Sequence, residues 1–373
     1  MTKLSLEKLT NINLLLSIDR IGPGKIKKLL LKFGSPEYIL SKSESELIKT
    51  DGVSKLLAQR IKNALKNKDK IKAETRKELD RINNLNIKLT SFWDSDYPEL
   101  LKNTYDPPLL LYYKGNLSEL DKFSVAIVGT RRPTEYGKLQ AQKITSALVS
   151  QNIIIVSGMA LGIDSIAHST ALTSNGRTIA VVGSGLNRIY PLENKKLFEE
   201  ISEKGIVFSE YKLDTMPDAG NFPQRNRIIS GLSLGCIVIE SGIPGGALLT
   251  AQFALDQNRE VFAIPGNLGI RQSEGTNALI QRGAAKLVKN AEDVLVELEL
   301  KLKPVIGKNI PKPKPDLNLF EEKILNVLEN KQVQIDKIAS LTNLETSDCL
   351  VHLLSLEFKG LVKQLPGKVF AAI

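Results

Sequence analysis

The chain of 373 residues is long enough for one full-sized hydrophobic core and one or two smaller domains. Its 42% of hydrophobic and 25% of charged residues predict a soluble protein, and no apolar run approaches the roughly 20 residues of a membrane span. Two distant cysteines, Cys236 and Cys349, exclude a disulfide framework, and a total of two histidines excludes a histidine-rich metal site. The N-terminus lacks a signal-peptide layout and no disulfide framework is present, so we expect a cytoplasmic protein with no membrane partner. Because no cluster of metal ligands such as an EF-hand loop is present, no metal is expected, and no cofactor is expected either.

The net charge of +10 originates in the N-terminal part of the chain. Residues 1–90 hold 20 lysine and arginine residues and 10 acids, so the remainder of the chain is neutral overall. A basic segment attached to a neutral body favours an anionic polymer as its partner. A lysine-rich face that is merely solvated is the alternative.

Residues 1–85 are predicted to form helices separated by short turns. In IGPGKIKKLLLKFG (21–34) a glycine-containing turn precedes an amphipathic helix, and DGVSKLLAQRIKNAL (51–65) is a degenerate second copy. A Gly-x-Gly turn before a helix leaves backbone N–H groups free for a phosphate, with the helix dipole behind them. The segment therefore resembles a helix-hairpin-helix, or SAM-like, domain, which binds the nucleic-acid backbone. A helical interaction domain is the alternative.

Residues 90–298 are predicted to form an α/β domain, because short, β-branched apolar runs alternate with stretches of helical length. Such runs are typical of strands that are buried on both faces of a parallel sheet. The predicted fold class is therefore α/β, with a doubly wound, mostly parallel, Rossmann-like sheet. The predicted strands are 124–129, 152–158, 178–183, 205–211, 236–241, 260–266 and 285–288.

Residues 299–317 include KLKPVIGKNIPKPKPD and are predicted to be an extended, semi-rigid proline/lysine linker. Residues 318–373 then contain three helical stretches, FEEKILNVL, QIDKIASLT and SDCLVHLLSLEFKG, followed by two short strands around a Pro-Gly turn. Three helices and a strand hairpin indicate a winged-helix domain. Its mixed charges leave protein contact and DNA contact as equal alternatives.

Glycine follows nearly every predicted strand of the α/β domain, in VGTRR, VSGMALGID, VGSGLN, ESGIPGGALLT and IPGN. In an open α/β sheet the ligand crevice lies beyond the carboxyl ends of the strands, where glycine lets the backbone approach a phosphate. No GxGxxG motif follows the first strand and no GxxxxGK[ST] motif is present, so a dinucleotide or a triphosphate is not expected. We expect phosphate binding by loops and by Arg131, Arg225 and Arg227, because guanidinium groups offer paired donors to phosphate oxygens.

The segment FPQRNRIISGLS (222–233) leaves the roles of two arginines open. We expect an extended corner in which Arg225 and Arg227 point in opposite directions. One of them should face the ligand, and the other should form a salt bridge to Glu210 or Glu240 at a neighbouring strand end.

Other side chains near the strand ends are also candidates. Asn226 is expected to tie the loop backbone together, and Phe222 either stacks on a base or packs into the core. Asp164 and His168 are four residues apart and share one helix face. They are either a catalytic acid–base pair or, respectively, a helix cap and a residue that packs against the sheet.

Six segments of the α/β domain carry a resemblance: VAIVGTRRPTEYG, IVSGMALGIDSIAHSTAL, TIAVVGSGLNRIYPLEN, FPQRNRIISGLS, TAQFALDQNREVFAIPGN and EGTNALIQRGAAKLV. In this order and spacing, and with YPELLKNTYDPPLLLYYKGN before them, the chain resembles the DNA-processing protein DprA (Smf) family over about residues 90–295. The resemblance implies an extended Rossmann-like domain that binds single-stranded DNA and forms a homodimer. It further implies protection of incoming strands and loading of the RecA recombinase during natural transformation, with no established enzymatic activity.

The resemblance also implies which residues contact DNA. Arg131 and the segment Arg225-Asn226-Arg227 are expected to line the groove. The expected residues of its floor are Gly129, Thr130, Gly158 and Gly183.

Two departures from the family pattern change the expected contacts. Leu192 stands where some members have lysine, so we expect Lys195 and its neighbour to supply that charge. The segment 244–247 replaces a Ser-Gly-Ser sequence, so Gly245 and Gly246 are expected to bind through backbone N–H groups.

Two alternative functions remain open. PGGALLT resembles the PGG-x-GT motif of nucleotide phosphoribohydrolases, which supports hydrolysis of nucleoside monophosphates with Glu240 as the acid beside that loop. The other alternative is a protein-recruiting adaptor that acts mainly through its winged-helix domain.

Overall fold

The computed structural model describes residues 5–19, 21–306, 317–329, 331–359, 361–365 and 369–372. The chain divides into two compact units, of which the first reaches Leu302 and the second begins at Lys303. None of the helices in the described ranges combines the length and the apolar character that crossing a membrane requires. Cys236 and Cys349 are both buried free thiols.

The N-terminal part of the first unit is helical, as predicted. The two predicted turn-helix segments correspond to its second and fifth helices. Serine precedes four of the helices and caps them, because its hydroxyl accepts a hydrogen bond from a first-turn N–H group. The helices are α1 Leu6–Leu16, α2 Pro23–Phe33, α3 Pro36–Ser41, α4 Glu44–Ile48, α5 Lys55–Ala64 and α6 Lys68–Asn84.

A nine-stranded sheet lies at the centre of the first unit and confirms the predicted α/β class. All seven predicted strands are present as β3 to β9. Two strands that precede them, β1 and β2, were not predicted; they pair antiparallel with each other, and β2 pairs antiparallel with β6. The strand order is β1-β2-β6-β5-β4-β3-β7-β8-β9. The strands are β1 Lys88–Ser91, β2 Leu110–Gly115, β3 Ser124–Val128, β4 Ile154–Ser157, β5 Thr178–Val182, β6 Ile206–Ser209, β7 Gly235–Val238, β8 Glu260–Ala263 and β9 Lys286–Leu287.

The strands from β3 to β9 are connected by helices, so each connecting helix begins near the carboxyl end of the strand before it. This arrangement is the doubly wound topology that was predicted. The helices of this part are α7 Glu99–Lys102, α8 Glu135–Ser150, α9 Ile163–Thr173, α10 Lys195–Lys204, α11 Asn221–Gly231, α12 Gly246–Asp256, α13 Arg271–Gln281 and α14 Ala291–Ile306.

The N-terminal helices and the sheet share one hydrophobic core. Leu9 and Ile12 of α1 belong to the same buried cluster as Tyr112 of β2 and Val207 of β6. The Tyr112 hydroxyl also donates a hydrogen bond of 3.0 Å to Glu78 of α6. Residues 1–85 and 90–298, predicted as two domains, therefore pack as a single unit.

The predicted linker is wrong at its N-terminal end, because α14 continues to Ile306. Leucine, glutamate and lysine, all strong helix formers, fill residues 297–303, and Glu292 and Asp293 favour the first turn of the helix through its dipole. Residues 307–316 of the predicted linker lie outside the described residues.

The second unit is a winged helix, as predicted. It consists of α15 Leu319–Leu328, β10 Gln332–Gln334, α16 Ile335–Thr342, α17 Thr346–Phe358, β11 Val362–Leu365 and β12 Val369–Ala372. Strand β10, which was not predicted, pairs with β12 and completes a three-stranded sheet. The predicted Pro-Gly turn falls in residues 366–368, which lie outside the described residues.

Candidate functional site

A cleft of about 810 Å³ opens at the carboxyl edge of the parallel sheet. It lies beyond β3 and β7, which are neighbours in the sheet although three strands separate them in sequence. This reversal of strand order is the position where open α/β sheets bind their ligands. Eight of the twelve predicted site residues line the cleft: Gly129, Thr130, Arg131, Phe222, Arg225, Asn226, Gly245 and Gly246.

The other four predicted site residues lie elsewhere. Gly158 and Gly183 line a smaller cavity of about 40 Å³, which shares Arg131, Phe222 and Arg225 with the cleft. Lys195, the first residue of α10, and Arg227 are not among the described residues that line either cavity.

Four helices begin at the cleft. Asp164 of α9, Phe222 of α11, Gly246 of α12 and Arg271 of α13 line it, and each stands in the first turn of its helix. The N-cap residues of these helices are glycine or isoleucine, and none provides a side-chain hydrogen bond. Because first-turn N–H groups and the helix dipole favour negative charge, the cleft is suited to an anion.

Three exposed arginines border the cleft, Arg131 and Arg132 after β3 and Arg271 at the start of α13. None of the three forms an ion pair within the residues that the structure describes. The guanidinium of Arg131 lies 5.9 Å from the ring centre of Phe222. Three positive charges are therefore available to a ligand in the cleft.

Arg132 and Arg271 are functional candidates that sequence reasoning missed. Arg132 follows Arg131 in VGTRR, so the sequence contained a signal for it. No sequence motif surrounds Arg271, because its position at the cleft depends on a tertiary contact of α13. The Ser241 N–H donates to the Gln272 carbonyl and the Gly275 N–H to the Ser241 carbonyl, both at 2.7 Å, which holds α13 against the end of β7.

The prediction of an extended corner at FPQRNRIISG is wrong, because this segment forms α11. Pro223 lies in the first turn, where a helix does not need the missing N–H group. Arg225 and Arg227 still point to different sides, since two residues of a helix span about 200°.

Arg225 is the arginine that faces the cleft, although only 4% of it is exposed. Its Nη1 donates to the carbonyl oxygens of Gly158 and Val181, and its Nε donates to Asn226 Oδ1 at 3.2 Å. Burial lowers the pKa of Arg225 to about 10, while the carboxylate of Asp164 acts in the opposite direction. Arg225 therefore positions the carboxyl ends of β4 and β5 below the cleft.

Arg227 forms the predicted salt bridge to Glu210 at 2.6 Å, and it also pairs with Asp106 at 3.3 Å. The other predicted partner, Glu240, accepts hydrogen bonds from the N–H and the hydroxyl of Thr134, at 2.9 and 2.5 Å. Arg227 is therefore a structural residue, and Glu240 holds the start of α8.

Asn226 and Phe222 connect the cleft to its neighbours. Asn226 Nδ2 donates to the Gly246 carbonyl at 3.3 Å, which ties α11 to the start of α12. Phe222 is half-buried, and its ring centre lies 5.6 Å from that of Tyr190. A Cβ atom on Gly183 would stand 2.8 Å from Phe222 Cδ1, so the ring packs directly on this glycine. Phe222 therefore packs on the strand ends, as one of the two predicted roles requires, and it also faces the cleft; stacking on a base stays a prediction.

Asp164 and His168 do not form an acid–base pair at the cleft. His168 is fully buried, and its Nδ1 lies 2.7 Å from Thr178 Oγ1, in agreement with packing against the sheet. Asp164 does not cap its helix as predicted; it accepts a hydrogen bond from the Ala160 N–H at 3.3 Å. Among the described residues, no three histidine, cysteine or acidic side chains are grouped so that they could hold a metal ion.

We expect Asp164→Asn to make the first unit more sensitive to acid. Burial raises the pKa of Asp164 to about 6 from its usual 3.8. The stability that Asp164 contributes is therefore fully present below pH 3.8 and is lost as the pH rises through about 6. Burial lowers the pKa of His168 to about 3, so His168 contributes stability above pH 6.5 that is lost on acidification.

The two groups oppose each other in the wild type between pH 7 and pH 5. Without Asp164, the His168 effect remains alone and should cost about 2 kcal/mol of unfolding free energy over this range. Denaturant titrations at both pH values, followed by the fluorescence of Trp93 in the first unit, measure the difference. Equal losses in the wild type and the variant would contradict the prediction.

Three segments of the chain match models of known protein families. Residues 88–299 match the family model described as DNA recombination-mediator protein A. Residues 310–368 match the DprA winged helix domain, and residues 12–67 match the SAM-like helix-hairpin-helix tandem.

Relatives and solved structures agree with these matches. Protein Smf of Synechocystis is 40% identical over 74% of this chain and 77% of its own length. DNA processing protein DprA of Bacillus subtilis is 38% identical over 76% of this chain and 94% of its own length. The crystal structure of DprA from Streptococcus pneumoniae has a TM-score of 0.66 and 35% identity, and covers 79% of this chain and 98% of that one. A Helicobacter pylori DNA processing protein A structure, described as giving insight into a unique single-stranded DNA binding mode, has a TM-score of 0.52 and 33% identity over 57% of this chain and 96% of that one.

Proposed function

The chain belongs to the DNA recombination-mediator protein A family and is a DNA-processing recombination mediator, and on that premise we propose that its cleft binds single-stranded DNA. The observation that carries the proposal is the charge of the cleft. Three exposed arginines and four helix starts without a side-chain cap face it, although α9 already donates its Ile163 and Ser165 N–H groups to the carbonyls of Thr130 and Ala160. Asp164, the one acid among the described lining residues, is buried. A relative described as binding single-stranded DNA supports the same ligand.

A titration with fluorescent oligo-dT at two salt concentrations tests this proposal. Because phosphate contacts release counterions, the logarithm of the affinity should fall with the logarithm of salt by about 0.7 per neutralised phosphate. If each of the three cleft arginines neutralises one phosphate, the plot of log affinity against log salt should have a slope of about −2 or steeper. An affinity that does not change with salt would overturn the proposal.

We further propose the finer role that the family resemblance implies. In this role a cytoplasmic homodimer protects incoming single strands and loads RecA during natural transformation. What supports it is family membership and the predicted affinity for single strands. The measurement is the ATPase activity of RecA on single strands coated with single-strand binding protein. If the added protein does not restore the ATPase activity of RecA on these coated strands, the proposed loading role is contradicted.

For the winged helix, the composition of α17 supports contact with a protein partner rather than with DNA. Helix α17 contains neither lysine nor arginine, which a DNA-reading helix uses for phosphates and base edges. Instead it exposes Leu350, Val351 and Leu354 on one face. Removal of residues 318–373 should therefore leave oligo-dT affinity intact and reduce RecA loading; a parallel loss of DNA affinity would argue against this role.

We propose that the cleft is not catalytic. Hydrolysis of nucleoside monophosphates would use Glu240 beside the PGG loop, but Glu240 is 2% exposed and engaged by Thr134. A Cβ atom on Gly137 would also meet the Glu240 carboxylate at 2.2 Å, so α8 closes over this acid. Release of free base from nucleoside monophosphates by the purified protein would overturn this proposal.

A further inference from the structure

An exposed tyrosine outside the cleft, Tyr105, packs against the first N-terminal turn-helix segment, residues 21–34. Tyr105, in the loop between α7 and β2, is 73% exposed. A Cβ atom on Gly24 would stand 3.1 Å from Tyr105 Cε1, so the ring rests closely on the start of α2. The ring therefore has one supported side and a large surface that remains open to solvent.

The loop that carries Tyr105 is fixed by its neighbours on both sides. The Lys27 ammonium of α2 donates to the Thr104 carbonyl, and the Thr104 hydroxyl donates to the Leu101 carbonyl at 2.8 Å. Asp106 forms an ion pair with Arg227 of α11 at 3.3 Å. These contacts fix the loop on both sides of Tyr105, so little loop entropy is lost when a ligand binds to the ring.

Helix α2, on which Tyr105 rests, is basic, although Lys28 forms an ion pair with Asp51 at 2.7 Å and Asp106 directly follows Tyr105. Helix α2 carries four lysines and no acid, and three of them, Lys25, Lys28 and Lys32, are exposed. Lys28 lies one turn after Gly24, on the same face of α2. The pKa of Lys28 is raised, first by its hydrogen bond to Asp51 and to a smaller extent by Tyr105, which places the tyrosine close to this ammonium group.

We propose that Tyr105 is a base-stacking platform for single-stranded DNA, with the exposed lysines of α2 contacting the phosphates. Non-specific single-strand sites combine these two elements, an aromatic face for the base and positive charge for the backbone. The tyrosine covers Gly24, so this turn is not an open glycine turn that binds the phosphate backbone through its N–H groups. The proposed site instead binds a base on the ring. The proposal rests on single-strand binding in the cleft and adds a second contact for the same strand.

The platform and the cleft are joined by one rigid element. Helix α11 carries Phe222 at the cleft and Arg227 five residues later, about 7.5 Å along the helix axis. Arg227 holds Asp106, the neighbour of Tyr105. Because α11 is buried from Arg225 to Gly231, a strand cannot follow this helix; the helix only fixes the position of the platform relative to the cleft.

Oligonucleotide length separates the two contacts. For the full chain, we expect Tyr105→Ala and Tyr105→Leu to weaken binding of an oligo-dT of about 25 nucleotides by about 5- to 10-fold, because stacking on the ring is lost. Tyr105→Phe keeps the aromatic face and should bind as the wild type does. An oligo-dT of about six nucleotides, occupying the cleft alone, should bind all variants equally. Tyr38→Ala, at a tyrosine of α3 that is 63% exposed, is the matched control and should change neither affinity.

A direct readout is photo-crosslinking of an oligonucleotide that contains 5-iodouracil, which should label Tyr105 in the wild type. If the long oligonucleotide binds through the cleft arginines, Tyr105→Ala binds it normally and no crosslink to Tyr105 forms, then the platform is refuted while cleft binding stands. If Tyr105→Leu binds like Tyr105→Phe, the ring acts by apolar packing, and stacking is refuted. If the wild type binds neither oligonucleotide, the proposed function itself has failed.

Discussion

Replacement of Arg131 and Arg271 by alanine together should weaken binding of oligo-dT by about 100-fold, without unfolding the protein. Each exposed guanidinium contributes a charge-assisted hydrogen bond to a phosphate, worth about 1.4 kcal/mol or more. The salt slope should also become less steep by about 1.4, because two fewer phosphates are neutralised. Since neither side chain forms an ion pair within the described residues, the free energy of unfolding should change by less than about 0.5 kcal/mol.

Arg282→Ala is the matched control for the single variant Arg271→Ala, which is measured beside the double variant. Arg282 is exposed and follows the last residue of α13, so it lies about 16 Å from Arg271 along the same helix. Its loss removes the same charge from the same element but outside the cleft. Equal effects of Arg271→Ala and Arg282→Ala would mean that net charge, rather than the cleft, determines the affinity.

Arg227→Ala should destabilise the first unit by about 3 kcal/mol, because it leaves Glu210 and Asp106 without the cation between them. The Arg227 side chain is only 6% exposed, and Glu210 and Asp106 are 21% and 34% exposed, so water replaces only part of the lost interaction. The melting temperature should fall by roughly 6 °C. Arg227→Lys retains the charge and should recover part of the loss.

The exposed pair of Arg188 and Asp214 provides the comparison. Its atoms are 3.8 Å apart and its side chains are 48% and 34% exposed, so Arg188→Ala should cost less than about 1 kcal/mol. Thermal unfolding of both variants measures the contrast. If Arg227→Ala melts like the wild type but no longer binds oligo-dT, Arg227 is a DNA ligand and its structural assignment is wrong. For the same reason, a double variant of Arg225 and Arg227 does not test the cleft, because it disrupts the fold.

The central sheet could be predicted because its strands are buried on both faces. Continuous β-branched runs such as SVAIV and TIAVV have no other common location, and the glycines after them marked the carboxyl edge. Strands β1 and β2 gave no comparable signal. They exist because β2 pairs with the edge of β6, and that pairing is a tertiary contact between distant residues.

The candidate site was predictable where it depends on strand ends and not where it depends on helix orientation. Phe-Pro before two arginines indicated a corner, but proline is also accepted in a first helical turn, and the segment is helical. The helical geometry turned Arg225 under the cleft and Arg227 away from it. Arg271 was missed because its sequence neighbours contain no motif, and only the packing of α13 against the end of β7 brings it to the cleft.

The common core of α1, α6 and the sheet has a consequence for avidity. Two binding surfaces joined by a flexible linker act together only to the extent that the linker keeps them close, and that effective concentration falls as the linker lengthens. Here the lysines of α2 and the cleft arginines belong to one packed unit, so no linker entropy is lost when both engage the same strand. Weak contacts at each surface can therefore multiply into a long residence time on a strand that spans both, while shorter fragments dissociate quickly.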